Sequence, residues 1–181
     1  MSNYRRAKTA GGTFFFTVVS YRRQSILCDA PVRIALREAI QSVQQSKPFT
    51  IDAWVLLPDH LHCIWTLPPD DNDFSARWSL IKSSVSRAIA AQYRRAEWLN
   101  DSKRKHREST VWQRRFWEHC IKDEDDFRHH LDYLHFNPVK HGLVSRAVDW
   151  PHSTFHRLVK SGVYPPEWAG GTAITENVKD I

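Results

Sequence analysis

Two apolar runs divided by Pro58 and Asp59 restrict the fold more than any other stretch of the chain. From Phe49 to Leu57, the residues Phe49, Ile51, Ala53, Val55 and Leu57 alternate with Thr50, Asp52, Trp54 and Leu56, the period-two pattern of a strand buried on one face and partly on the other. A second strand follows from His60 to Leu67. With the Pro-Asp turn between them, the two predict a hairpin that Pro68 and Pro69 bring to an end.

The flanking segments supply partners for that hairpin. Gly11 and Gly12 precede a β-branched and aromatic strand from Thr13 to Tyr21. Asp29 as a cap and Pro31 in the first turn open a helix with Val32, Ala35, Leu36, Ala39, Ile40 and Val43 on one stripe, closed by Pro48. Phe74, Trp78, Ile81, Val85 and Ile89 predict a long helix to about Trp98, with Arg77, Lys82, Ser86, Arg87 and Arg94 open to solvent or a partner. Asn100 to Thr110 reads as a solvated charged loop, and Val111 to Ile121 as a further strand. The acidic run Asp123–Asp126 suits the positive end of a helix dipole, and that helix is expected to run to Asn137, where Pro138 stops it. The order strand, helix, hairpin, helix, strand, helix is that of an α+β domain with a central antiparallel sheet, close to the ferredoxin-like plan. At 181 residues the chain has the length of one domain, taken as residues 1–170 with a tail over 171–181.

Composition narrows the classes of function. Lys and Arg number 26 against 20 Asp and Glu, a formal charge of +6 that favours polyanionic partners such as nucleic acid. Eight Trp, five Tyr and nine Phe argue against a disordered basic tail. Cys28, Cys63 and Cys120 are widely spaced with no C-x-x-C, so neither a disulfide framework nor a thiolate zinc site is supported and reduced thiols are expected. The apolar run Phe14 to Val19 is too short for a membrane span or a signal-peptide core. A cytoplasmic chain with no membrane partner is the expectation.

His60 and His62 sit two apart on a strand, where both imidazoles share a face and can approach one metal ion. With ten His in the chain, chance alone supplies roughly 0.5 pairs at that spacing, so the pair needs support. The last helix offers it: Tyr133 and Asn137 lie four apart on one face, with Asp126 and His130 extending the row. Phe127, Leu131 and Leu134 form a separate apolar stripe, which leaves Tyr133 outside an obligatory core role and its hydroxyl available as a nucleophile. The alternative is a half-buried tyrosine satisfied by a neighbour.

The segment WVLLPDHLHCIW, Trp54 to Trp65, resembles the HUH motif (His, bulky apolar residue, His) of the single-tyrosine transposases, and YLHFNPVKHGLV, Tyr133 to Val144, resembles the tyrosine helix of their REP-associated branch. YRRAKTAGGTFFFTV, VWQRRFWEHCIKDEDDFRHHLDY and WPHSTFHRLVKSGVYPPEWAG are similar to the same branch, so the likeness runs from about Tyr4 to Gly170. This resemblance implies a fold of the HUH endonuclease type, with Tyr133 as the nucleophile. His60, His62 and Asn137 would be the ligands of Mg2+ or Mn2+. It implies metal-dependent cutting and transfer of single-stranded DNA through a 5′-phosphotyrosine. The substrate would be an imperfect hairpin, the repetitive extragenic palindrome (REP), met in the bacterial nucleoid; a monomer is favoured over the dimer of the wider family, whose subunits exchange tyrosine helices. His130 and His135 are the candidate bases, each with the alternative of an ordinary surface histidine.

Arg5, Arg6, Arg22, Arg23, Arg87, Arg114 and Arg115 are candidates to neutralise phosphates, and Trp112 and Trp117 to stack on unpaired bases. Two rival readings stand beside the transposase: a non-catalytic ferredoxin-like nucleic-acid binder, and a metal hydrolase using a bound water. Neither of them needs the hydroxyl of Tyr133.

Overall fold

The computed structural model describes residues 9–106, 108–168 and 170. Arg5, Arg6, Arg107 and the expected tail over 171–181 lie outside the described residues. Four strands, β1 (Thr13–Val19), β2 (Thr50–Leu56), β3 (His60–Thr66) and β4 (Trp117–Cys120), form one antiparallel sheet in the order β2-β3-β1-β4. Helices α1 (Ala30–Ser46) and α2 (Phe74–Ala88) cover one face, and α5 (Glu124–Lys140) crosses the other. Short helices α3 (Ala90–Tyr93), α4 (Asp101–Lys105) and α6 (Phe155–Lys160) complete the described chain. The expected α+β class and ferredoxin-like plan hold, with α5 as an added layer.

Alternation along β1 divides the core. Phe14, Phe16 and Val18 point into the α1–α2 layer and Phe15 into the α5 layer. All three phenylalanines are fully buried, each worth roughly 1.5–3 kcal/mol of transfer from water.

Several expectations change. A register shift between Ile51 and Ala53 makes Asp52 a bulge, so Phe49 and Ile51 pack in the α1–α2 layer while Ala53, Val55 and Leu57 pack under α5. The expected single face of β2 is therefore split between two cores. Asp29 makes no capping bond and instead accepts from the Tyr93 hydroxyl at 2.8 Å. That contact helps explain why the second helix does not run to Trp98. The chain leaves helical geometry at Ile89, which with Tyr93 is buried in the first core, and tertiary packing overrides the local period. Arg77, expected on the surface, is wholly buried, its guanidinium bonded to Asp71 and to the Lys47, Pro48 and Asp73 carbonyls.

The charged loop also contains order: Asn100 caps α4 through the Lys103 N–H at 2.9 Å, and Lys103 is buried with its Nζ 3.9 Å from the centre of the Tyr21 ring. The strand read as Val111–Ile121 shrinks to Trp117–Cys120, because only Trp112 bridges to Ser20 before the ladder breaks. Lys82 Nζ donates to the Gln113 and Arg114 carbonyls at that break. Finally, α5 continues through Pro138 to Lys140. Proline removes only the N–H that would have met the Leu134 carbonyl; the Asn137 side-chain N–H donates to the Tyr133 carbonyl at 3.1 Å, and Gly142 ends the helix at φ 66°.

Candidate active site

Two antiparallel ladders aim the paired histidines. His62 on β3 lies opposite Thr17 on β1 and Val55 on β2, and His60 lies opposite Val19. Residues two apart on β3 share a face, and here it is the face beneath α5: the His60 and His62 ring centres are 4.9 Å apart at 84°. Both rings are buried, with 5% and 4% relative exposure.

A neighbour fixes each ring. His60 Nδ1 donates to Asp59 Oδ1 at 2.7 Å, and His62 Nδ1 pairs with the Thr17 hydroxyl at 2.9 Å. Nε2 is therefore the atom of each ring placed to take a ligand. Asp59 also accepts from Arg23 Nη1 at 3.0 Å. Burial raises the Asp59 carboxyl, but the bonds and charges of His60 and Arg23 outweigh it and hold the group at about 2.

α5 carries the tyrosine over this pair. Asp123 caps the helix by accepting from the Asp126 N–H at 2.9 Å, which fixes where α5 begins. The Tyr133 ring centre is 5.4 Å from His62 and 6.1 Å from Phe15. Tyr133 is not outside the core as its stripe suggested: it is 2% exposed and belongs to the layer under α5, because the helix lies flat on the sheet and buries a wider arc than one stripe. Asn137 is fully buried, and its Oδ1 has no hydrogen-bond partner among the described residues. A buried amide oxygen with no donor is an atom that a cation satisfies. The chemistry of this donor set, two oriented imidazoles and a buried amide oxygen, suits a divalent cation.

Two further residues went unnoticed in the sequence. Lys140 Nζ is 5.1 Å from the Tyr133 ring centre, and the His141 ring is 5.2 Å from that of His60. Their spacing from Tyr133 and Asn137 along YLHFNPVKHGLV was the available signal, hidden by the expectation that Pro138 ends the helix. Of the candidate bases, His135 is removed from the phenol. It pairs with the Thr154 hydroxyl at 3.1 Å, packs on Phe155 and Tyr164, and burial pushes it down to about 3. His130 is held by Asp126, and burial lowers its pKa.

The phosphate-contact candidates separate into groups. Arg87 and Arg114 come together with Lys82 and Arg94 around a groove of about 740 Å³ on the α2 side of the molecule, while Arg115 is exposed nearby. Arg22 and Arg23 are consecutive residues at φ 56° and 51°, a backbone conformation costly for a side chain of this size. It turns Arg22 over the Trp98 ring at 5.0 Å and Arg23 toward Asp59. Trp112 is 4% exposed in the first core, which removes it as a stacking platform. Trp117 is half-buried against Phe15. The three thiols are free, and no helix among the described residues is long and apolar enough to cross a membrane.

The profile of the family described as "Transposase IS200 like" matches residues 13–135, spanning β1 to the tyrosine-bearing part of α5. Fold and match together define a transposase of the IS200-like class. A REP-associated tyrosine transposase of Escherichia coli K12 is 48% identical over 94% of this chain and 92% of its own length. A putative REP-associated tyrosine transposase of Haemophilus influenzae is 43% identical over 94% of each. A solved REP-associated tyrosine transposase bound to a REP hairpin superimposes with a TM-score of 0.79 at 43% identity, over 99% of this chain and 100% of the other. The chain belongs to the REP-associated tyrosine transposases.

Proposed function

We propose that this transposase is a metal-dependent endonuclease and strand transferase that acts on REP-type single-stranded DNA hairpins through a 5′-phosphotyrosine at Tyr133. The observation that carries the reading is the placement of the Tyr133 ring 5.4 Å from His62, the inner member of the histidine pair. The hairpin bound by the solved relative supports the substrate class.

Tyr133 Oη attacks phosphorus, the new Oη–P bond replaces the P–O3′ bond, and the phenolic proton ends on the released 3′-oxygen. The exchange conserves bond energy, so a second DNA end can attack in turn without ATP. His60, His62 and Asn137 would hold Mg2+ or Mn2+, which supplies polarisation of the scissile phosphate and offsets its developing charge. Asp59 and Thr17 keep the two imidazoles oriented. Lys140 places a positive charge beside the phenol ring as its proton leaves. The approach of Tyr133 to His62 within one chain supports a site assembled in a monomer, without exchange of tyrosine helices. The chain would act in the cytoplasm, on repeats of the nucleoid.

The test is incubation with a labelled REP hairpin and Mg2+ or Mn2+, followed by denaturation, with Tyr133→Phe alongside. A covalent adduct in the wild type that the variant lacks, with DNA binding intact in both, is expected. Binding without adduct or cleavage would make the chain a non-catalytic binder, and cleavage without adduct a hydrolase.

A further inference from the structure

A second cluster of metal-capable side chains lies on the same face of the sheet, apart from His60 and His62. His119 on β4 faces Phe15 across the ladder, and the first two turns of α5 bring Asp126 and His130 beside it. His119 Nε2 is 2.8 Å from Asp126 Oδ2, and His130 Nδ1 is 2.9 Å from Asp126 Oδ1. One ligand atom from each of the three lies within 4.8 Å of the other two. The two imidazoles stack at 4.5 Å with 14° between their planes, both against one carboxylate.

Two donors bound side by side to one cation at about 2.1 Å stand roughly 3 Å apart, close to the spacing of each imidazole nitrogen from the carboxylate here. Two imidazoles and a carboxylate are a donor set that suits a divalent transition-metal ion. We propose that His119, Asp126 and His130 form a second cation site, specific for a divalent transition metal such as Mn2+, Co2+ or Zn2+.

The supports are rigid. Asp126 Oδ2 accepts the Lys122 N–H at 2.9 Å and the Asp126 N–H is capped by Asp123, while β1 holds His119 in the ladder. The His119 and Asp126 side chains keep 27% and 18% exposure, so solvent reaches the remaining coordination positions. On binding, the ring proton of each histidine moves from the nitrogen facing Asp126 to the other ring nitrogen, and His130 Nδ1 gives up its 2.9 Å bond to the Asp126 backbone carbonyl. Nothing is oxidised or reduced. The Phe15 ring stands between the clusters, 4.9 Å from His130 and 5.4 Å from His62. His130 lies one turn before Tyr133, so the cation would brace the tyrosine helix against the edge strand. The site is independent of the strand-transfer reading.

The experiment titrates Co2+ into the full chain carrying His60→Gln and His62→Gln, following visible absorption and calorimetric stoichiometry. One Co2+ per chain is expected. Adding His119→Gln or Asp126→Asn should weaken it at least about tenfold, since even outer-shell losses cost about ten- to a hundredfold. In the same His60/His62 variant, where the first site is removed, Mn2+ should broaden the His119 and His130 ring resonances. Absence of Co2+ binding by the natively folded His60/His62 variant, unchanged affinity after His119→Gln, or sharp His119 and His130 resonances in saturating Mn2+ would each overturn the site and leave a hydrogen-bonded cluster. None of these readouts uses DNA, so failure here is distinct from loss of the Tyr133 adduct.

Discussion

Asp59 holds His60 by its Nδ1 at 2.7 Å, and this contact decides which nitrogen of the ring can meet a ligand. The same carboxylate is tied to Arg23 at 3.0 Å, so a turn residue, a strand histidine and a strained arginine form one chain of contacts. Replacing Asp59 by Ala frees the ring to rotate and to change tautomer. Mn2+ affinity at the His60–His62 site should fall by about ten- to a hundredfold, the usual cost of losing an outer-shell carboxylate. Calorimetric titration of Asp59→Ala checks this, and an unchanged affinity would reduce Asp59 to a tether for Arg23.

The hairpin, the histidine pair and the tyrosine helix were legible because each depends on local pattern: period two around Pro58-Asp59, a spacing of two on a strand, a spacing of four on a helix. What escaped depends on contacts distant in sequence. The bulge at Asp52 answers to Thr66 and Arg157, which bond its carboxylate and carbonyl. The break after Ala88 answers to Asp29, more than fifty residues earlier, and Arg77 is buried because backbone carbonyls of the α1–β2 connection accept from it. Lys140 was hidden by a rule that holds for most helices: proline ends them. At Pro138 only the bond to the Leu134 carbonyl is lost, and the rest of α5 carries the helix on to Lys140.

Lys140 gives the second prediction. A positive charge about 5 Å from the phenol ring stabilises a developing phenolate by up to ~3 kcal/mol at an effective dielectric of 20. Lys140→Met should slow adduct formation by roughly ten- to a hundredfold and move its rate profile to higher pH, while Lys140→Arg should restore most of the rate. Single-turnover adduct rates across pH 6–10 separate this from a folding defect, which would lower every rate without moving the profile.

The Arg77–Asp71 pair gives a prediction on stability. Arg77 is wholly buried with five hydrogen bonds, and its bond to Asp71 holds that carboxyl below its ordinary range. A carboxylate whose pKa is depressed by folding stabilises the fold above its unfolded value near ~4, and loses that contribution as pH falls through the folded value. Asp71→Asn should therefore cost about 1 kcal/mol at pH 7, since Asp71 is partly solvated, and converge with the wild type as acid protonates the folded-state carboxyl. Arg77→Leu should cost about 3 kcal/mol at pH 7, because it also strands the Lys47 and Pro48 carbonyls. Urea unfolding from pH 2.5 to 8 tests both, and a constant gap between Asp71→Asn and the wild type would remove the linkage.

The groove beside α2 makes the last prediction, on how DNA is held. Arg87 and Arg114 stand on opposite walls, on α2 and on the broken strand after Trp112, and Lys82 joins the walls through the Gln113 and Arg114 carbonyls. Each arginine that neutralises a phosphate of a duplex stem contributes about 0.9 to the slope of log affinity against log salt. Arg87→Ala with Arg114→Ala should therefore weaken hairpin binding at low salt and flatten that slope by nearly 2. Arg128→Ala, an equally exposed cation paired to Glu124 on α5 and away from this groove, should leave the slope unchanged. Fluorescence anisotropy between 50 and 300 mM NaCl measures all three proteins. If the double variant keeps the wild-type slope, the phosphates of the hairpin lie elsewhere and the groove loses its assignment; if Arg128→Ala flattens it equally, the effect is one of net charge and the two arginines hold no particular phosphate.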